Sequence, residues 1–182
     1  YTDYILKVVD NVTINPKEDV PTIEKNILEG GELKDANTAS IGDVITFQLD
    51  SVVPDMSAYN KYYYVINDTM CDGLTFDSSS VEVFIDNVKI NSSNYEVQTG
   101  AAAKVGEVQY SFQIVMKNFK ANYSDKTGKD IKVTYKAALN DNADWTELGN
   151  ENAVNLTYSN NPNHTYVGEN EPSNTPGDGD VT

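Results

Sequence analysis

The chain is poor in the residues that most catalytic and metal-binding sites need. Its 182 residues include one cysteine (Cys71), one histidine (His164) and one tryptophan (Trp145). A single cysteine excludes an intrachain disulfide and a cysteine-based zinc site. The lone histidine lies in the loop-like segment NNPNHTY, which offers little to orient the imidazole of a hydrolytic triad. We therefore expect no metal, no cofactor and no enzymatic turnover.

Positive charge is also scarce, with 13 Lys and Arg against 28 Asp and Glu, which gives a net charge of −15. Such a field repels nucleic acid and anionic membranes, and this excludes a nucleic-acid partner. No apolar run is long enough to span a bilayer, so we expect no membrane insertion of this segment. The first residues already have strand character, and we expect the chain to be an excised part of a longer protein.

Strand-forming residues dominate what remains. There are twelve tyrosines, many Val, Ile and Thr, and frequent Asn, Asp and Gly at turns. Many short strands separated by such turns predict an all-β, antiparallel β-sandwich. One short helix is expected near 116–124. The predicted strands are 4–14, 22–28, 43–51, 61–67, 81–90, 94–98, 107–117, 130–139 and 152–159.

Composition divides the chain into three predicted segments. Residues 1–19 are the end of a preceding domain or an extra strand, and they run into a hinge, NPKEDVP. Residues 20–165 form the sandwich. Residues 166–182 are rich in Pro, Gly, Asn and Asp, which is typical of a linker to a following domain.

The stretch PTIEKNI contains a lysine where an apolar residue is expected. Alternate side chains of a strand point to opposite faces, so Ile23, Lys25 and Ile27 share one face. An isolated buried ammonium is costly and needs either a partner or the loss of its proton.

Two polar residues in other strands fall on core-facing positions by the same test. In YYYVIND, Asp68 shares a face with Tyr64 and Ile66. In NAVNLTY, Asn152 shares a face with Val154. Lysine, aspartate and asparagine side chains are therefore all expected to point into one core.

Three interpretations of this set are open. In the first, the neutral Lys25 amine attacks the side-chain carbonyl of Asn152, a protonated Asp68 assists, and ammonia leaves an intramolecular isopeptide bond. In the second, Lys25 and Asp68 form a buried ion pair and Asn152 is not involved. In the third, Lys25 lies at a sheet edge and its amine reaches water.

The chain resembles a known family over residues 20–165. The matching motifs are PTIEKNI (21–27), ASIGDVITFQLDSVVPD (39–55), YYYVINDTMCDGLTF (62–76), DIKVTYKAALNDNA (130–143) and GNENAVNLTYSNNPN (149–163). In this order they resemble the isopeptide-forming D2-type domains of Gram-positive pilin subunits and related surface adhesins. The resemblance implies an immunoglobulin-like sandwich whose first and last strands are joined by an isopeptide bond.

Carried over motif by motif, the resemblance assigns Lys25 as the amine, Asn152 as the amide and Asp68 as the assisting acid. Self-cross-linking of this kind happens once and turns over no substrate. The fallback residues are Lys7 for the amine, Asn160 for the amide and Glu82 for the acid.

The family also implies a role in assembly. Major pilins carry a lysine in a YPK-like motif just before such a domain, and a sortase joins that lysine to the next subunit. Here NPK places Lys17 at about that position, although Asn15 replaces the tyrosine. The implied function is a structural domain of a sortase-assembled pilus subunit, located outside the cell at the cell wall, with other pilin subunits as partners. The alternative is a ligand-binding domain of a cell-wall-anchored adhesin that recognises a host protein or glycan.

Overall fold

The computed structural model describes residues 4–10, 20–146, 149–167 and 181. Fourteen strands and one short α-helix lie in these ranges. The strands are β1 (Tyr4–Asp10), β2 (Ile23–Glu29), β3 (Glu32–Lys34), β4 (Ala36–Ala39), β5 (Val44–Val52), β6 (Tyr64–Met70), β7 (Leu74–Ile85), β8 (Val88–Lys89), β9 (Tyr95–Thr99), β10 (Lys104–Val105), β11 (Val108–Gln109), β12 (Phe112–Met116), β13 (Asp130–Leu139) and β14 (Asn150–Tyr158). The helix α1 is Phe119–Tyr123, and single 3-10 turns are Ser92–Asn94, Gly100–Ala102 and Ser124–Lys126.

The strands form two six-stranded sheets that enclose the core. The β6 sheet has the order β4-β1-β14-β6-β12-β9, the β5 sheet has the order β3-β2-β5-β13-β7-β8, and β10 and β11 form a separate ribbon. The predicted all-β sandwich is confirmed. The pairing is not antiparallel throughout, because β1 runs parallel to β14, with Leu6 opposite Asn150.

Alternation of apolar and polar residues explains why these segments become strands. In β2 the buried positions are Ile23, Lys25 and Ile27, as the period of two requires. The neighbouring β5 buries Phe47 and Leu49 on the same side of the β5 sheet. Burying one large apolar side chain contributes roughly 1.5–3 kcal/mol, so these inward faces supply most of the drive to fold.

Two tight turns fix the hairpins of the β5 sheet. Gly30 and Gly31 join β2 to β3 with φ of 61° and 86°, the left-handed values that a two-residue hairpin loop demands. Asp86 and Asn87 join β7 to β8 with φ of 53° and 62°. The prediction of one continuous strand over 81–90 is therefore wrong, since Asp and Asn tolerate this conformation and reverse the chain.

The helix predicted near 116–124 is confirmed as α1, whose Phe119 ring stacks on Tyr64 with 4.7 Å between centroids. The predicted domain boundaries stay predictions, because residues 11–19, 168–180 and 182 lie outside the described ranges. Within the part of the chain that is described, no helix combines the length and the apolar character needed to cross a membrane.

Candidate isopeptide site

Lys25, Asp68 and Asn152 meet in the core between the two sheets. Lys25 comes from β2 of the β5 sheet, whereas Asp68 and Asn152 come from the adjacent strands β6 and β14 of the β6 sheet. Asp68 lies opposite Val154 in the ladder, which puts Asn152 one diagonal step away on the same face. Lys25 is 1% exposed, and the other two are 0% exposed.

The Lys25 amine contacts three oxygens. Nζ lies 2.6 Å from Asp68 Oδ2, 3.0 Å from the backbone oxygen of Ala153, and within hydrogen-bonding contact of Asn152 Oδ1. The amine is therefore held beside the amide carbonyl that it would attack and beside a carboxylate that can accept its proton. The third interpretation, in which the Lys25 amine reaches water, is wrong, because the whole lysine side chain is shielded from water.

A fourth polar side chain, Tyr135 of β13, closes the cluster. Its hydroxyl donates to Asp68 Oδ2 at 2.9 Å and accepts from Asn152 Nδ2 at 2.8 Å. The alternation along β13 puts Tyr135 on the core face, but it does not show that Tyr135 is part of the site. The sequence offered one signal for this role: a tyrosine on a core face usually needs a hydrogen-bond partner for its hydroxyl.

Aromatic rings surround the polar cluster and keep it dry. Lys25 Nζ lies 6.0 Å from the ring centroid of Phe47 and 5.7 Å from that of Tyr135. Phe47 stacks on Tyr135 at 5.2 Å, and Phe112, directly opposite Asp68 in the ladder, packs edge-on against Tyr135 at 5.0 Å. In such surroundings, an electrostatic contact is stronger and an unpaired charge is more costly than in water.

Burial raises the pKa of the Asp68 carboxyl above its usual range, and the Lys25 amine and the Tyr135 hydroxyl oppose this shift only in part. Among the described residues, Asp68 Oδ1 has no hydrogen-bond partner. A carboxylate would leave that oxygen charged and unsatisfied, whereas a carboxylic acid lowers this cost. Burial, followed by the charge of Asp68, raises the pKa of Tyr135 well above that of a free phenol.

The fallback residues are placed elsewhere or their side chains are not described. Glu82 is half-exposed on β7 and pairs with Lys89 at 2.6 Å. Asn160 is exposed beyond the end of β14. Lys7 lies within β1, for which only the backbone is described, and Lys17 lies outside the described residues. The described residues contain no group of His, Cys, Asp and Glu arranged to hold a metal.

No protein-family model matches the chain. A curated relative, the trypsin-resistant surface T6 protein of Streptococcus pyogenes, is 31% identical over 153 residues, which cover 80% of this chain and 27% of the relative. The pilus backbone protein RrgB of Streptococcus pneumoniae has a solved structure that is 27% identical and superposes with a TM-score of 0.58, covering 80% of this chain and 55% of that one. This chain is similar to Gram-positive pilus backbone proteins.

The resemblance predicted from the motifs is thereby confirmed. The solved T6 backbone pilin of serotype M6 Streptococcus pyogenes, which has three domains, superposes with a TM-score of 0.59 over 90% of this chain and 34% of its own. At 24% identity that match shows the fold alone. The pilin-like chain spans about a quarter of the curated relative and about half of the RrgB structure.

Proposed function

We propose that this domain cross-links itself through an isopeptide bond between Lys25 and Asn152, assisted by Asp68. The observation that carries the proposal is the contact of the buried Lys25 amine with the Asn152 side-chain oxygen, beside the Asp68 carboxyl at 2.6 Å. A simple ion pair needs only Lys25 and Asp68. It leaves unexplained why an amide is held against the same amine in a dry pocket.

The chemistry balances within these groups. Asp68 Oδ2 takes a proton from Lys25, which leaves a neutral amine and a neutral acid. The Lys25 nitrogen attacks Cγ of Asn152 and forms a new C–N bond. The bond from Cγ to Nδ2 then breaks, and Nδ2 leaves as ammonia with a proton that originates on the lysine. Holding the reactants in contact lowers the activation barrier by roughly 7–11 kcal/mol, and the reaction needs no cofactor.

The bond would join two strands of different sheets. Lys25 lies in β2, Asn152 lies in β14, and 127 positions of the chain separate them. A pull applied to the two ends of the domain then passes through the cross-link and bypasses every strand between. The proposed role is therefore mechanical, and the protein turns over no substrate.

The comparisons support a pilus role for the longer protein. The relatives are a surface protein and pilus backbone subunits of streptococci. We propose that this chain is a structural domain of a sortase-assembled pilus subunit, displayed at the cell wall of a Gram-positive bacterium and polymerised with other pilin subunits. Lys17 remains the proposed lysine for linkage between subunits.

Intact mass tests the cross-link. The purified domain should weigh less than its sequence by one ammonia, and Lys25→Ala and Asn152→Ala should each have the full sequence mass. A folded wild-type domain with its full sequence mass would overturn the proposal.

A further inference from the structure

We propose that the hydroxyl of Tyr135 delivers the proton to the departing nitrogen of Asn152, so that Tyr135 is a catalytic residue of the cross-linking step. This inference rests on the proposed isopeptide bond. It adds a fourth participant, which connects the acid to the leaving group.

Hydrogen bonds form a continuous path from the nucleophile to the leaving group. Lys25 Nζ lies 2.6 Å from Asp68 Oδ2, Tyr135 Oη lies 2.9 Å from the same oxygen, and Asn152 Nδ2 lies 2.8 Å from Tyr135 Oη. The Asp68 carboxyl contacts both Lys25 and Tyr135. The hydroxyl of Tyr135 thus spans the gap between the carboxyl and the nitrogen that must leave.

Expelling an amide nitrogen requires a proton on that nitrogen, because the amide anion is a very poor leaving group. Before attack, Asn152 Nδ2 is planar and donates to the tyrosine oxygen. When the lysine nitrogen has added to Cγ, Nδ2 becomes tetrahedral and gains a lone pair that faces the same hydroxyl. The hydrogen bond can then reverse, and Tyr135 becomes the donor.

The relay starts from the neutral Lys25 amine and the neutral Asp68 acid that the first proton transfer produces, and it restores the Asp68 acid and the Tyr135 hydroxyl. Asp68 Oδ2 takes a proton from the lysine nitrogen and passes a proton to the oxygen of Tyr135. Tyr135 gives its own proton to Nδ2, the Cγ–Nδ2 bond breaks, and ammonia departs. The lysine nitrogen ends in the new amide, and Asp68 and Tyr135 end as they began. Concerted transfer avoids a free phenolate, which burial disfavours.

Packing alone does not require the hydroxyl. The Tyr135 ring stacks on Phe47 and meets Phe76 and Phe112 edge-on, contacts that a phenylalanine would keep. The variant Tyr135→Phe therefore removes the proposed donor and leaves the aromatic wall in place. A matched control is Tyr64→Phe. Tyr64 is also fully buried, and its hydroxyl bonds Ser51 at 2.6 Å and not the residues of the site.

The experiment follows the reaction from unreacted chains. Protein recovered from inclusion bodies in denaturant is diluted into native buffer, and the fraction that has lost one ammonia is followed by mass against time. We expect Tyr135→Phe to fold and to react roughly 100-fold or more slowly than wild type, in line with the usual contribution of a positioned general acid. Tyr64→Phe should react at the wild-type rate.

A second measurement keeps the test valid if Tyr135→Phe fails to fold. Ortho-fluorotyrosine at position 135 keeps the ring and the hydroxyl but makes the hydroxyl more acidic. It should accelerate the reaction and shift its pH profile, whereas the same replacement at position 64 should change neither. A merely structural tyrosine would not respond to the acidity of its hydroxyl.

The outcomes separate the two proposals. If wild type loses ammonia while Tyr135→Phe reacts at the wild-type rate, the relay is wrong and the cross-link stands. An ortho-fluorotyrosine protein identical to wild type at every pH also overturns the relay. If folded wild type never loses ammonia, both proposals are wrong.

Discussion

Lys25 and Asn152 lie on opposite sheets of the sandwich, 127 positions apart in the chain, and their side chains are in direct contact in the core. Lysine and asparagine side chains are seldom fully buried in an apolar core. Their contact gives both a partner, and it also places a nucleophile against an electrophile.

Stability should depend on this pair more than on surface contacts. In a chain-entropy model, closing a loop of 127 residues stabilises the fold by roughly 5 kcal/mol. We expect Asn152→Ala to lower the melting temperature by roughly 10–20 °C and to speed digestion by protease. Lys34→Ala, which breaks the exposed pair with Glu29, is the control and should leave both measurements unchanged. Equal melting of wild type and Asn152→Ala would count against a covalent link.

The two acids named from the sequence should behave differently. Asp68 contacts the Lys25 amine in the core, whereas Glu82 pairs with Lys89 at the surface. We expect Asp68→Asn to abolish or greatly slow the loss of ammonia, because the isosteric amide cannot accept the proton of the lysine. Glu82→Gln should react completely, and a reversed result would assign the assisting role to Glu82.

The buried carboxyl should make the stability of Lys25→Ala depend on pH. Burial raises the folded-state pKa of Asp68, and removing Lys25 removes its strongest opposing influence. The unfolded chain has a carboxyl pKa of about 3.9. Stability from the protonated acid is therefore complete below that pH and is lost as the pH rises through the raised folded value.

Urea unfolding from about pH 4 to pH 8 measures this loss. The free energy of unfolding of Lys25→Ala should fall across that range. The double variant Lys25→Ala/Asp68→Asn is the control and should lack this fall. A flat profile for Lys25→Ala would show that Asp68 ionises in the fold without cost.

Force should distinguish the cross-linked chain from its variants. When the domain is pulled from its two ends, the segment between Lys25 and Asn152 cannot extend if the bond is present. In Asn152→Ala the same 127 positions should add an unfolding step of roughly 400 Å. Single-molecule stretching measures that step, and its presence in wild type would contradict the proposed mechanical role.

Alternation of side chains predicted much of the fold and the inward direction of the three polar residues. Lys25 interrupts an apolar stripe, Asp68 ends one and Asn152 begins one, and a period of two is enough to show which way each side chain points. This alternation cannot show which strands are neighbours or which sheet a strand joins. The resemblance to pilin domains implied that Lys25 and Asn152 meet, but not the order of the strands.

Other features could not be predicted because their determinants are not periodic. The short strands β3 and β4 have little apolar patterning, and their pairing with β2 and β1 holds them in place. The parallel pairing of β1 with β14 depends on residues far apart in the chain. The part of Tyr135 in the site could not be predicted either, because its hydroxyl bonds residues of two other strands, Asp68 and Asn152, that only the fold brings beside it.

Peptide mapping tests the central claim most directly. Trypsin cannot cut after a lysine whose amine is acylated, and no Lys or Arg follows Lys136. Digestion of the denatured wild-type protein should therefore yield one branched species, in which residues 18–34 are joined to residues 137–182. Tandem mass spectrometry should locate the branch at Lys25 and Asn152. Recovery of three separate linear peptides, 18–25, 26–34 and 137–182, would show cleavage after Lys25 and would contradict the account.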